Sequence, residues 1–130
     1  MKIKVIASGS KGNCTLIICE NTKFLIDIGI PLSHVTASLE ASGTNIKELS
    51  GILITHTHSD HIKGLLQLVK KYKIKVFSGT RTFKDIAKIV PLDSIVIAED
   101  TFNINDVKVS LLETSHDVES YGFVIEYKNR

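Results

Sequence analysis

Apolar and polar side chains alternate along the first third of this chain and then give way to apolar positions spaced three and four apart. Residues 2–8, 14–20 and 23–28 are short runs rich in Ile, Val and Leu, which predicts three strands. Asn21-Thr22 predicts a hairpin turn between the last two. From Pro31 onward Leu32, Val35 and Leu39 share one helical face, and Gly43 is a natural C-terminal stop. Gly51-Ile52-Leu53-Ile54 predicts a short buried strand. Ile62, Leu65, Leu66, Val69 and Tyr72 predict a second amphipathic helix. A short strand follows at 75–78. Phe83, Ile86, Ala87 and Val90 mark a third helix, ended by Pro91. Residues 94–98, 102–104, 107–114 and 121–127 read as strands, with Asn105-Asp106 as a turn. Strands interleaved with helices predict an α/β chain, and the hairpins make its sheet mixed.

Composition narrows the function classes. At 130 residues the chain is long enough for a real core. Its net charge of +2 makes no electrostatic case for nucleic acid by itself. The lysines at 63, 70, 71, 73 and 75 could meet a phosphate backbone, although such residues usually form the solvated face of a helix. No apolar run is long enough to span a membrane, and Met1 leads directly into a strand with no signal-peptide pattern, so a cytoplasmic protein is expected. Cys14 and Cys19 lie five apart in one predicted strand. They therefore face opposite ways, cannot pair there, and suit a reducing compartment.

The candidate chemistry sits between the fourth predicted strand and the second predicted helix. His56-Thr57-His58-Ser59-Asp60-His61 places three of the chain's five histidines and an aspartate in six residues. His56 and His58 leave the same side of an extended segment, whereas Asp60 and His61 arrive as the backbone turns into the helix. Flanking elements hold such a turn at both ends, so its donors can converge. Imidazole plus carboxylate suits zinc first, and also manganese or iron. Histidines also cluster in solvated loops, but the strand and helix on either side favour a metal site. The chain has neither an HExxH nor a CxxC pattern. Asp27, set among Leu25, Ile26 and Ile28, needs a partner if buried; it either supports the metal loop or bonds its own turn. The Ser8 to Asn13 loop is a tight turn that could also offer backbone amides, Ser10 or Asn13 to an anionic substrate. His34 reads as a surface or packing histidine.

The HxHxDH spacing of His56, His58, Asp60 and His61 resembles the signature of the metallo-β-lactamase superfamily. Leu25-Ile26-Asp27-Ile28-Gly29 resembles that family's first motif, and Thr114-Ser115-His116-Asp117 with the following Tyr121-Gly122-Phe123 resembles its third. Ser8-Gly9-Ser10-Lys11-Gly12-Asn13-Cys14 is similar to the glycine- and serine-rich turn of the branch called YycJ or WalJ. The resemblance implies that His56, His58 and His116 bind one ion, and that Asp60 and His61 supply part of a second site. It further implies one or two ions (zinc, manganese or iron), Asp60 as a ligand or a water-orienting group, Asp27 as support behind the ligands, and hydrolysis by metal-bound hydroxide.

The family fold is an αββα sandwich of two similar halves, and residues 1–130 read as the N-terminal half. The remaining ligands of the family, a bridging aspartate and a final histidine, fall downstream of the third motif and are absent here. A lone half is expected to leave the inner face of its sheet uncovered. A fragment of a longer protein, a homodimer in which a second copy stands in, and a short catalytically silent variant are the three explanations. The fragment is favoured, because Met1 resembles a natural start and Arg130 follows a strand abruptly. The expected activity is that of a phosphodiesterase or DNA exonuclease. The alternatives are another hydrolase of a thioester, lactone or small phosphate ester, and a metal-binding module without turnover.

Overall fold

The computed structural model describes residues 1–98, 100–113 and 121–127. Nine strands, four α-helices and two 3-10 turns follow one another among them. The strands are β1 (Lys2–Ala7), β2 (Cys14–Cys19), β3 (Thr22–Ile26), β4 (Leu49–Leu53), β5 (Val76–Ser78), β6 (Ile95–Ile97), β7 (Thr101–Ile104), β8 (Val107–Glu113) and β9 (Tyr121–Glu126). The helices are α1 (Leu32–Ala41), α2 (Ser59–Ile62), α3 (Leu65–Tyr72) and α4 (Phe83–Ala87). Strands β1 to β6 form one sheet in sequence order, antiparallel at β1-β2-β3 and parallel from β3 to β6. This is the expected mixed sheet, with hairpins first and helical crossovers after. Strands β7, β8 and β9 form a second, antiparallel sheet.

The alternation read from the sequence sorts residues onto two cores. On one face of the large sheet, Leu16, Leu25, Ile52 and Val76 pack with Val35, Leu39, Leu65 and Leu68 of the helices. On the other, Ile17, Cys19, Phe24 and Leu53 pack against Ile104, Val107, Val109 and Tyr127. Phe77 of β5 stacks on Phe102 of β7 with ring centroids 5.3 Å apart. Each fully buried aliphatic or aromatic side chain contributes roughly 1.5–3 kcal/mol. Cys14 lies in the helical core and Cys19 in the intersheet core, both buried and unbridged, as their spacing predicts.

Three expectations need correction. The inner face of the large sheet is not bare: the second sheet covers it from β2 to β5. Its margins stay open: at β1, Ile3 and Val5, in register with Ile17 and Thr15, are 62% and 64% exposed, and at β6, Val96, in register with Phe77, is exposed. Strand β3 ends at Ile26 rather than 28, because Asp27 adopts a left-handed φ of 63°. The helical stripe from Ile62 to Tyr72 is not one helix but α2 and α3, broken at Lys63-Gly64. Within α3 it is Leu68, not Leu66, that is buried beside Leu65 and Val69. The break has a non-local cause. Gly64 N–H donates to Ile28 O at 2.9 Å, and a Cβ on Gly64 would stand 2.5 Å from Ile30 O.

Candidate metal centre

Parallel strands β3 and β4 end side by side, and the chain leaving each of them builds the site. After β4 the motif runs through Thr55 and the histidines into α2. After β3 the left-handed turn at Asp27, a conformation costing about 1–2 kcal/mol for a residue with a side chain, points the carboxylate across at that motif. Asp27 accepts from Thr55 N–H at 2.8 Å, from Thr55 Oγ1 at 2.5 Å and from His61 Nδ1 at 2.7 Å. Its side chain is only 5% exposed, and these three donors satisfy it. The contacts of Asp27 thus run across to Thr55 and His61 of the histidine motif rather than within its own turn.

The arrangement fixes the His61 tautomer. A carboxylate only accepts, so Nδ1 carries the hydrogen and Nε2 is the atom left facing outward. Nε2 stands 3.6 Å from Asp60 Oδ2. The bond to Asp27 raises the His61 pKa above the ordinary histidine value; burial opposes it, while the charges of Asp27 and Asp60 add to it. His56 is moved the other way. Burial, then the neighbouring His58 and His61, lowers its pKa, which keeps the ring neutral at pH 7. The His56 ring centroid lies 3.9 Å from that of His58 and 5.0 Å from that of His61. His56 Nε2 is buried with no hydrogen-bond partner among the described residues.

A divalent ion fits this donor set chemically. A neutral imidazole with an unpartnered buried nitrogen costs free energy as it stands, about 1–3 kcal/mol, and an electrophile at that nitrogen would relieve it. The Asp27–His61 pair would serve as the outer support that ligand histidines ordinarily have. Among the described residues no three His, Cys, Asp or Glu side chains converge closely enough to hold an ion in this arrangement, and His58 is exposed. Residues 114–117, with His116, lie outside the described residues.

Backbone contacts hold the motif turn against two other segments. Asn13 N–H donates to Asp60 O at 2.7 Å, Ile28 N–H to His61 O at 2.8 Å, and Gly29 N–H to Asn13 O at 2.8 Å. Gly29 is indispensable to this crossing, since a Cβ there would lie 1.7 Å from Asp60 O. The Asn13 side chain is taken up by Gly9 and Asp60, whereas Ser10 is exposed. Thr57 reaches away from the histidines and donates to Asp85 of α4 at 3.0 Å. Thr55 and Gly29 are the site residues that the sequence reading gave no role. A buried aspartate demands donors, and a hydroxyl at the end of the neighbouring strand was the signal available for Thr55. His34 and the lysines at 63, 70, 71, 73 and 75 are exposed; Lys75 Nζ donates to Asp93 O.

A sequence model of the metallo-β-lactamase superfamily matches residues 7–114, a span that includes the whole motif and both supporting segments. The chain belongs to the metallo-β-lactamase superfamily. Within the superfamily it sits with the YycJ/WalJ-like branch. It is 33% identical to Exodeoxyribonuclease YycJ of Bacillus anthracis over 99% of its length, and 28% identical to Exodeoxyribonuclease WalJ of Streptococcus pneumoniae over 94%. These alignments take in 51% and 48% of those proteins, so the chain spans about half the length of the curated relatives it matches. The solved Rm3 metallo-beta-lactamase superposes with a TM-score of 0.78 at 23% identity, covering 96% of this chain and 54% of that one. That likeness shows the metallo-β-lactamase fold. No helix among the described residues is long and apolar enough to cross a membrane.

Proposed function

We propose that this chain carries the first part of a divalent-metal hydrolytic centre whose substrate is a phosphodiester, DNA above all, attacked as an exonuclease attacks it. The observation that carries the reading is the pairing of a locked histidine with an orphaned one: His61 is held in one tautomer by Asp27, and His56 Nε2 is buried beside it with no partner among the described residues. The names of the YycJ and WalJ relatives support the substrate class. His56, His58, Asp60 and His61 would hold the ion or ions, with His116 as a further ligand. Zinc fits such donors best, manganese or iron next. When bound, the ion supplies Lewis acidity at neutral pH. The chain's own part is to keep His56 neutral, to hold the proton of His61 on Nδ1, and to keep Asp60 beside His61. Two buried free thiols agree with a cytoplasmic location.

The test offers the full chain, with zinc or manganese, end-labelled duplex DNA beside a nitrophenyl phosphodiester. Loss of labelled ends, abolished by chelation and by Asp60→Asn, is the expected result. Brisk turnover of the ester with intact DNA would move the reading to a small-ester hydrolase. A second reading, a metal-binding module without turnover, draws on the absence of three converging donors among the described residues. Tight metal uptake with neither substrate cleaved would establish it.

A further inference from the structure

The glycine-rich loop before β2 ends in a side chain whose contacts are unusually specific. Asn13 Oδ1 accepts Gly9 N–H at 3.2 Å. Its Nδ2 faces three acceptors: Gly9 O at 2.9 Å, Asp60 O at 3.1 Å and Asp60 Oδ2 at 3.3 Å. Turning the amide over would set its oxygen against three oxygens and its nitrogen against an N–H, so only one orientation is tenable. One Nδ2 hydrogen serves Gly9, and the other is shared between the carbonyl and the carboxylate of Asp60. No donor of this amide is left over for an anionic substrate.

The consequence falls on Asp60. Its main chain is fixed by Asn13 N–H at 2.7 Å and by the close crossing at Gly29, so the freedom left to it is rotation of the carboxylate. The Asn13 amide meets the oxygen that also lies 3.6 Å from His61 Nε2. Oδ1 has no hydrogen-bond partner among the described residues. We propose that Asn13 is a positioning residue for Asp60: it sets the rotation of the carboxylate so that Oδ2 stays beside His61 and Oδ1 is left free to serve as a donor. The inference rests on the metal reading above. It replaces a substrate-binding role for Asn13 with one exerted through Asp60.

Alanine and serine suit the test because neither can reach the carboxylate, and serine keeps a hydroxyl near Gly9 should alanine disturb the loop. Cobalt(II) alone would be titrated by visible absorption into the full chain as wild type, Asn13→Ala, Asn13→Ser, Asp60→Ala and the Asn13→Ala/Asp60→Ala double variant, with folding checked by circular dichroism. Loss of an outer partner of a ligand weakens metal binding about 10- to 100-fold, and that is the change expected for either Asn13 variant. In the Asp60→Ala background the same substitution should change affinity by less than about twofold, since residues acting through one group are not additive. An equal loss in both backgrounds would mean that Asn13 acts through the loop and not through Asp60, which overturns the proposal. Cobalt affinity at the wild-type level with KM for the phosphodiester raised would restore a substrate contact and overturn it as well. A wild-type chain that takes up no cobalt would remove the metal reading and this inference with it.

Discussion

The two ends of the large sheet carry polar networks of similar size and opposite character. At one end Asn105 Nδ2 donates to Thr22 Oγ1 at 3.1 Å and to Ser50 Oγ at 3.2 Å, while Thr22 donates to Asp106 at 3.3 Å. Lys23 pairs with Glu48 beside them. That network staples the β7–β8 turn to the β2–β3 turn and so joins the two sheets. At the other end, Asp27, Thr55, His61, Asp60 and Asn13 join three segments through hydrogen bonds as short as those of the staple or shorter. What separates the two is the remainder. His56 Nε2 is the one buried side-chain atom without a partner among the described residues, and it lies at the second end. Clustering of polar groups marks a joint; a deficit inside a well-supported cluster marks a place for something else to bind.

Substitutions can break the comparison in order of size. Gly29→Ala should act most strongly, since the new methyl would overlap Asp60 O. A loss of about 3 kcal/mol or more in urea unfolding, together with loss of metal uptake, is expected. Asp27→Ala should come next, at about 1–3 kcal/mol, because it strips the support from Thr55 and His61. Its metal affinity should fall about 10- to 100-fold by isothermal titration. Asn105→Gly tests the opposite end. Glycine accepts the φ of 53° there, so the substitution removes the hydrogen bonds without adding strain. About 1 kcal/mol of stability should be lost with metal affinity unchanged. If Asn105→Gly weakened metal binding as much as Asp27→Ala, the two ends would not be independent and the distinction would fail.

The last effect, confined to alkaline pH, concerns the helical core beside the second end. Burial, and then the Asp27 charge, pushes the Cys14 thiol up to about 12. The folded chain therefore holds the thiol neutral where the unfolded chain would ionise it. The resulting stability is complete below an ordinary thiol value near 9.0 and is lost as pH rises from there toward about 12. Cys14→Ala should flatten the alkaline limb of a stability-against-pH curve. A limb unchanged by the substitution would assign the alkaline loss to other groups.

Much of this molecule was legible from local pattern. The positions of most strands and helices follow from periods of two and of three to four, and the motif from the crowding of its donors into six residues. The features that escaped are those set by chain far away in sequence. Nothing near Gly64 says that Ile30 O will crowd it and divide a helix, and nothing near Leu66 and Leu68 says which one the neighbouring layer will cover. The inner face of the sheet was expected bare because a half was compared with a whole. The β7–β9 hairpins, read correctly as strands, turn back to cover most of it. In the site, the histidines announced themselves, while Thr55 and Gly29 did not, because their importance lies in what Asp27 and Asp60 do to them across the fold.

Besides its side-chain contacts, the turn bearing Asp60 and His61 is fastened at its own carbonyls by the main-chain amides of Asn13 and Ile28. Every amino acid but proline offers the same two groups. These main-chain bonds can therefore outlast replacement of the exposed Ser59 and Lys63, which leaves those positions free to be rewritten around an unchanged motif backbone. A scaffold fastened in this way is suited to acquiring new specificities, because the rim can vary in sequence while the geometry beneath it stays put.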